Sequence, residues 1–183
     1  MAQNIDIHHQ LIDQCKNGDP RAQYQLYHLY AKQMLNISVR IVNNQMEAED
    51  VLQESFINAF TKIKNFRGDS SFGSWLKRIV INTSLNVVKR KKHFYEDLKE
   101  DQIANEPEEN DEKEVSYTIK DIQEALVQLA DGYRVIFSMY MFEDMSHNEI
   151  AEELNISVNT SKSQLSRARS KMKELMIKNQ DHG

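Results

Sequence analysis

Two stretches of this sequence gather the side chains that hold nucleic acid. In the first, Trp75, Asn82, Asn86 and Lys89 recur at helical spacing on one stripe, beside a polar turn made of Gly68, Asp69, Ser70 and Ser71, and the basic cluster Lys89 to Lys92 closes it. An aromatic ring stacks on a base, amides pair with base edges and ammonium groups neutralise phosphates, a set suited to unpaired or distorted DNA. In the second, residues 158–178 carry Lys162, Arg167, Arg169, Lys171, Lys173 and Lys178 against Glu174 alone. Wound at about 100 degrees per residue, Asn159, Ser163, Ser166 and Arg167 fall opposite an apolar stripe. Lys162, Arg169 and Lys173 then line one flank, with Thr160, Gln164 and Lys171 on the other. Amides, hydroxyls and guanidinium groups are what read base edges and grip phosphates of intact duplex. Taken alone, either basic stretch is more readily a solvated helix face, and Trp75 is equally a core residue; two such stretches in one chain shift the balance toward DNA.

A third surface is acidic. Glu47, Asp50, Glu54 and Asn58 lie opposite the apolar stripe Leu52, Phe56, Ala59, Phe60 and Ile63, with Val51 and Ile57 among the acids. Exposed aliphatics in an acidic face point to a protein partner with a basic, partly apolar surface, because solvation alone gives no reason for them. The plainer alternative is a solvated face with two stray aliphatics. For covalent or metal chemistry the chain has no comparable set. The one cysteine, Cys15, falls with Ile7, Leu11 and Ile12 on an apolar stripe, and there is neither a Gly-rich phosphate loop nor a Cys/His cluster at ligand spacing. No catalytic residue, metal or cofactor is therefore expected.

The elements that position these groups are helices. Of 183 residues 40% are apolar and 28% charged, and only 5 Gly and 2 Pro interrupt them. Asn17-Gly18 ends a first short helix, and Asp19-Pro20 starts a second that runs to about Asn43, with Ala22, Leu26, Leu29, Ile37 and Ile41 inward. Acids crowd the first turn of the third, where they suit the helix dipole. The fourth runs from about Phe72 to Lys92, with Phe72, Leu76, Ile79, Val80, Thr83 and Val87 inward. Further on, Ile119, Ile122, Leu126 and Leu129 make one amphipathic helix and Tyr133, Ile136, Phe137, Tyr140 and Met141 another. Ser146-His147-Asn148-Glu149 is a capping box, Asn155 suits a left-handed helix end, and Val158, Ser161, Leu165, Ala168, Met172 and Leu175 mark the inward stripe of the last helix. A short capped helix, a tight turn and a basic helix form a helix-turn-helix, whose second helix enters the major groove.

Charge divides the chain. The net of -5 is uneven: residues 96–114 hold ten acids against two bases, a local net of -8 that leaves the remainder at +3. The predicted fold is all-α: two small helical domains, 1–94 and 119–180, joined by a flexible acidic linker over 95–118, the C-terminal domain a helix-turn-helix. The first residues have no basic and apolar leader pattern, and no apolar run approaches the roughly 18 residues of a membrane span, so a cytoplasmic protein without direct membrane insertion is expected.

Four ordered motifs carry a resemblance over nearly the whole length. They are Ala48-Glu49-Asp50-Val51-Leu52-Gln53-Glu54-Ser55-Phe56, Phe66-Arg67-Gly68-Asp69-Ser70-Ser71-Phe72 with Trp75-Leu76, Arg78-Ile79-Val80-Ile81-Asn82-Thr83, and Gly132-Tyr133-Arg134 leading to Ser146-His147-Asn148-Glu149-Ile150-Ala151 and to Thr160 through Arg169. With these the chain resembles the extracytoplasmic-function (ECF) subfamily of bacterial RNA polymerase sigma factors. The resemblance implies that the first domain grips the clamp helices of the largest subunit of core RNA polymerase and melts the promoter -10 element, and that the second reads the -35 element. It implies polymerase contacts at Asp50, Gln53 and Glu54 beside Val51, a flipped-base contact at Asn82 in a pocket lined by Gly68 to Ser71, and an anti-sigma factor as a further partner. Most of the family has Val where Ser161 stands and Arg where Gln164 stands; one branch shares Ser and Gln. The rival reading is a two-domain helix-turn-helix transcription regulator without a polymerase role, which would carry a receiver or ligand domain in place of the acidic face.

Overall fold

Asparagine, proline and serine set the helix ends at the positions their chemistry favours. The computed structural model describes residues 3–91, 94 and 118–180. The proposed linker, 95–118, thus lies outside the described residues except for Thr118. The chain divides into two compact units, residues 1–87 and 88–183.

In the first unit, α1 (Gln3–Lys16) ends at Gly18, whose φ of 82° is a left-handed conformation that glycine adopts without strain. Asp19 then caps α2 (Pro20–Val42) by accepting from the Arg21 amide at 2.8 Å, with Pro20 at the first position, where its missing N–H costs nothing. Asn43 closes that helix at φ 58°, and Asn44 opens α3 (Gln45–Lys62) by accepting from the Glu47 amide at 3.0 Å, a cap worth about 1 kcal/mol. A single 3-10 turn (Ile63–Asn65) follows. The helix α4 (Phe72–Lys89) stops three residues short of the predicted Lys92. The buried core of this unit includes Leu26, Met34, Ile37, Ile41, Ala48, Leu52, Phe56, Leu76 and Val80. Leu29, expected inward, is 56% exposed: the buried residues of α2 centre near Tyr30 and Ile37, roughly a quarter turn away at 3.6 residues per turn.

In the second unit, α5 (Ile119–Gln128) opens on a capping box between Thr118 and Asp121, and α6 (Asp131–Met141) is buried over most of its length. Ile119, at the first position of α5, and Met141, at the end of α6, are exposed where the stripes predicted them inward, because helix ends leave the packed interface first. The helix α7 (His147–Leu154) carries the predicted box: the Glu149 carboxylate accepts from the Ser146 amide at 2.9 Å while the Ser146 hydroxyl accepts from the Glu149 amide. Asn155 ends it at φ 55°. Then comes α8 (Val158–Gln180), capped by the Ser157 hydroxyl, which accepts from the Thr160 amide at 2.9 Å. This last helix packs against α5, α6 and α7 alike and is the spine of the unit.

Candidate nucleic-acid and polymerase interfaces

On α3 the buried face is Ala48, Val51, Leu52, Ser55, Phe56 and Ala59. Val51 is only 2% exposed, so its predicted place on the polymerase face is corrected: it sits three residues after Ala48 and four before Ser55, within the packed arc. The outward face is Asp50, Gln53, Glu54 and Ile57, with Met46 one turn before. Ile57 and Met46 are large apolar side chains in water, and among the described residues neither Asp50 nor Glu54 has an ion-pair or hydrogen-bond partner. Like charges four residues apart repel along a helix, so this carboxylate pair costs the isolated protein stability that a cationic partner would return.

The turn between the 3-10 element and α4 is held by rings. Trp75 is half-buried, packed on Phe66 at 5.3 Å and Phe72 at 5.6 Å between centroids, and Phe72 in turn meets Tyr30 of α2 at 5.4 Å. The indole therefore spends much of its surface on anchoring the turn. Gly68 takes a φ of 82°, and Gly68, Asp69, Ser70 and Ser71 are all exposed. The Ser71 hydroxyl caps α4, accepting from the Ser74 amide at 3.1 Å. Along the same helix Asn82 and Asn86 are exposed and Lys89 is half-buried. The α4 stripe thus keeps its two amides exposed to solvent.

In the helix-turn-helix, Asn159, Lys162 and Ser163 are exposed, and Thr160, Ser166 and Arg167 are half-buried. Gln164 is corrected: it is 1% exposed, three residues from Ser161 and four from Ala168, because a helix packed on three neighbours buries a wider arc than one stripe. Two residues outside the predicted set organise this surface. The His147 ring stacks on Tyr140 at 4.7 Å, and the Arg169 guanidinium lies 5.6 Å from the Tyr140 ring centroid, a cation-π distance. The His147 Nδ1 also lies 2.9 Å from the Ser161 hydroxyl across the turn, a spacing that no periodicity within one helix reveals.

Among the described residues no group of three or more His, Cys, Asp or Glu is placed to hold a metal ion, and no helix is long and apolar enough to cross a membrane. A helix-turn-helix with an exposed, cation-bearing second helix defines a DNA-binding protein. Residues 26–94 match the Sigma-70 region 2 family and residues 119–172 the Sigma-70, region 4 family. The chain is 33% identical to the RNA polymerase sigma-H factor of Pseudomonas aeruginosa, over 87% of this chain and 89% of that protein. It is 30% identical to the ECF RNA polymerase sigma factor SigW of Bacillus subtilis, over 89% and 93%. The chain belongs to the ECF family of RNA polymerase sigma factors. Two solved structures share its fold at 22% identity: CnrH in complex with the cytosolic domain of CnrY, with a TM-score of 0.53 over 91% of this chain and 95% of that one, and RpoE in complex with the anti-sigma factor NepR from Bartonella quintana, with 0.55 over 84% and 96%.

Proposed function

We propose that this sigma factor divides promoter recognition between its units, with the α3 face of Asp50, Gln53, Glu54 and Ile57 seated on the clamp helices of core polymerase. Gly68 to Ser71, Asn82 and Asn86 take the unpaired -10 strand, with Trp75 and Lys89 at the margins of that surface. In the second unit Asn159, Thr160, Lys162, Ser163, Ser166 and Arg167 face the -35 duplex. The single observation that supports the polymerase assignment is the pair of partnerless carboxylates beside an exposed Ile57 on α3. A flipped base costs a few kcal/mol of lost stacking, which the Asn82 amide and the polymerase contacts offset. By likeness to the RpoE complex, an anti-sigma factor is a further partner, and the place of action is the cytoplasm. The catalytic steps of RNA synthesis belong to the polymerase.

The test is co-purification of the full chain with core polymerase. Glu54→Lys reverses one exposed charge without touching the core, so binding to core should be lost while the far-UV circular dichroism stays that of the wild type. Wild-type retention by Glu54→Lys would move the interface off α3.

A further inference from the structure

Helix α1 lies outside the region 2 match, which starts at residue 26, yet it walls a cavity whose opposite side is the turn before α4. The cavity has a volume of about 80 Å³, room for a group the size of a phosphate. Its lining joins His9 and Lys16 of α1 to Tyr30 of α2 and to Arg67, Ser70 and Ser71 of the turn, with no carboxylate among the lining residues. Asp13 pairs with His9 at 3.0 Å and meets Lys16 only at 3.9 Å, and neither it nor Asp69 of the turn lines the cavity. The Lys16 ammonium lies 5.8 Å from the centroid of the Phe66 ring, a cation-π distance that steadies it at the rim. Arg67 is exposed and among the described residues has no ion-pair partner. Two cations, hydroxyl donors and a neighbouring aromatic wall are the chemistry that holds a phosphodiester.

We infer that this cavity is a phosphate subsite for the unpaired promoter strand, with Lys16 of α1 and Arg67 of the turn as its cations and the Ser70 hydroxyl as a donor. The inference rests on the assignment of the same turn to the -10 strand. It adds a residue from a helix that the region 2 match leaves out. A strand whose base sits at Gly68 to Ser71 brings the adjoining phosphate within reach of the cavity mouth. A phosphodiester there neutralises both cations at once.

The experiment uses holoenzyme reconstituted from the full chain and core polymerase, with a short single strand selected from random DNA for binding to it. Single phosphates of that strand are replaced in turn by uncharged methylphosphonate, and affinity is read by fluorescence anisotropy across a salt series. One replacement should weaken the wild type and leave Lys16→Gln unchanged, while Lys16→Gln itself loses up to about fivefold in affinity, the range of an exposed charge contact. Its salt slope should fall by about 0.7, the value for one contact to a single strand. Arg67→Gln should behave alike, and Lys16→Arg should restore binding. Asn82→Ala separates the two readings: loss there with wild-type binding by Lys16→Gln and Arg67→Gln overturns the subsite alone, and loss in none of the three overturns the -10 assignment beneath it. Competition by inorganic phosphate beyond that of chloride at equal ionic strength, with strand binding indifferent to Lys16, would make this a free-anion site and overturn the strand inference.

Discussion

The Nδ1 of His147 and the hydroxyl of Ser161 lie 2.9 Å apart, and this one bond ties the first helix of the helix-turn-helix to the buried face of the second. Ser161 is fully buried, so its hydroxyl has no water to turn to and the imidazole fixes its direction. Burial of the ring, followed by the positive charges of Lys162 and Arg169, holds the His147 pKa below its ordinary 6.5.

Acid should therefore loosen the second unit. In the unfolded chain His147 protonates near 6.5, whereas in the folded chain it does so only at lower pH, so over that interval the unfolded state binds more protons and stability falls as pH drops. Thermal unfolding of wild type and of His147→Gln, followed from neutral pH to about pH 5, should show the smaller loss in the variant. Parallel curves would remove the imidazole from the pH response.

Cys15 should be chemically silent in the native protein. It is 2% exposed, and burial followed by the Asp19 carboxylate pushes its thiol up to about 11, so at mildly alkaline pH almost no thiolate is present. Reaction with a thiol reagent should be slow in buffer and fast in urea. Equal rates in both would place the sulfur at the surface.

Arg134 should be the most costly polar residue of the second unit to remove. It is 2% exposed, its Nη1 donates to the Leu129 carbonyl at 2.9 Å and its Nη2 to the Asp131 carboxylate, so it joins the end of α5 to the start of α6. Arg134→Ala strips both acceptors of their donor and opens a cavity, for a loss of about 3 kcal/mol in urea unfolding. A loss within error would show that water replaces the guanidinium at no cost.

What could be read from the sequence follows from how local the determining physics is. The ends of α2, α3 and α7 rest on Asn43, Asn44, Ser146 and Asn155, whose side chains or left-handed backbone act within four residues. The width of a buried arc depends instead on how many neighbours a helix has. Periodicity alone places Val51 and Gln164 outside, where convergent helices bury a wider arc, and Leu29 inside, although the packed face of α2 lies about a quarter turn from it. Lys16 and Arg67 share a cavity across fifty residues of sequence, and His147 reaches Ser161 across a turn. Neither pairing has a period to betray it. Trp75 was legible as an aromatic on the α4 stripe, but its packing against Phe66 and Phe72 was not.

The two DNA surfaces should fail at different steps of initiation. Asn82 is exposed on α4, and its amide pairs with a base edge only after that base has left the stack. Asn82→Ala should leave closed-complex formation on duplex promoter nearly intact, while permanganate reactivity of unpaired thymines, which reports opening, collapses. Lys162 is exposed near the start of α8; in the proposed -35 contact it faces intact duplex, where phosphate neutralisation sets affinity. Lys162→Ala should weaken the closed complex and lower its salt slope by about 0.9, without changing which thymines react. Arg167, half-buried, should do the same with an added cost to packing. The order of the two defects follows from the state of the DNA each side chain needs, paired for Lys162 and unpaired for Asn82. If Asn82→Ala instead lost duplex binding and opened whatever promoter it still held, melting would have to be assigned away from α4.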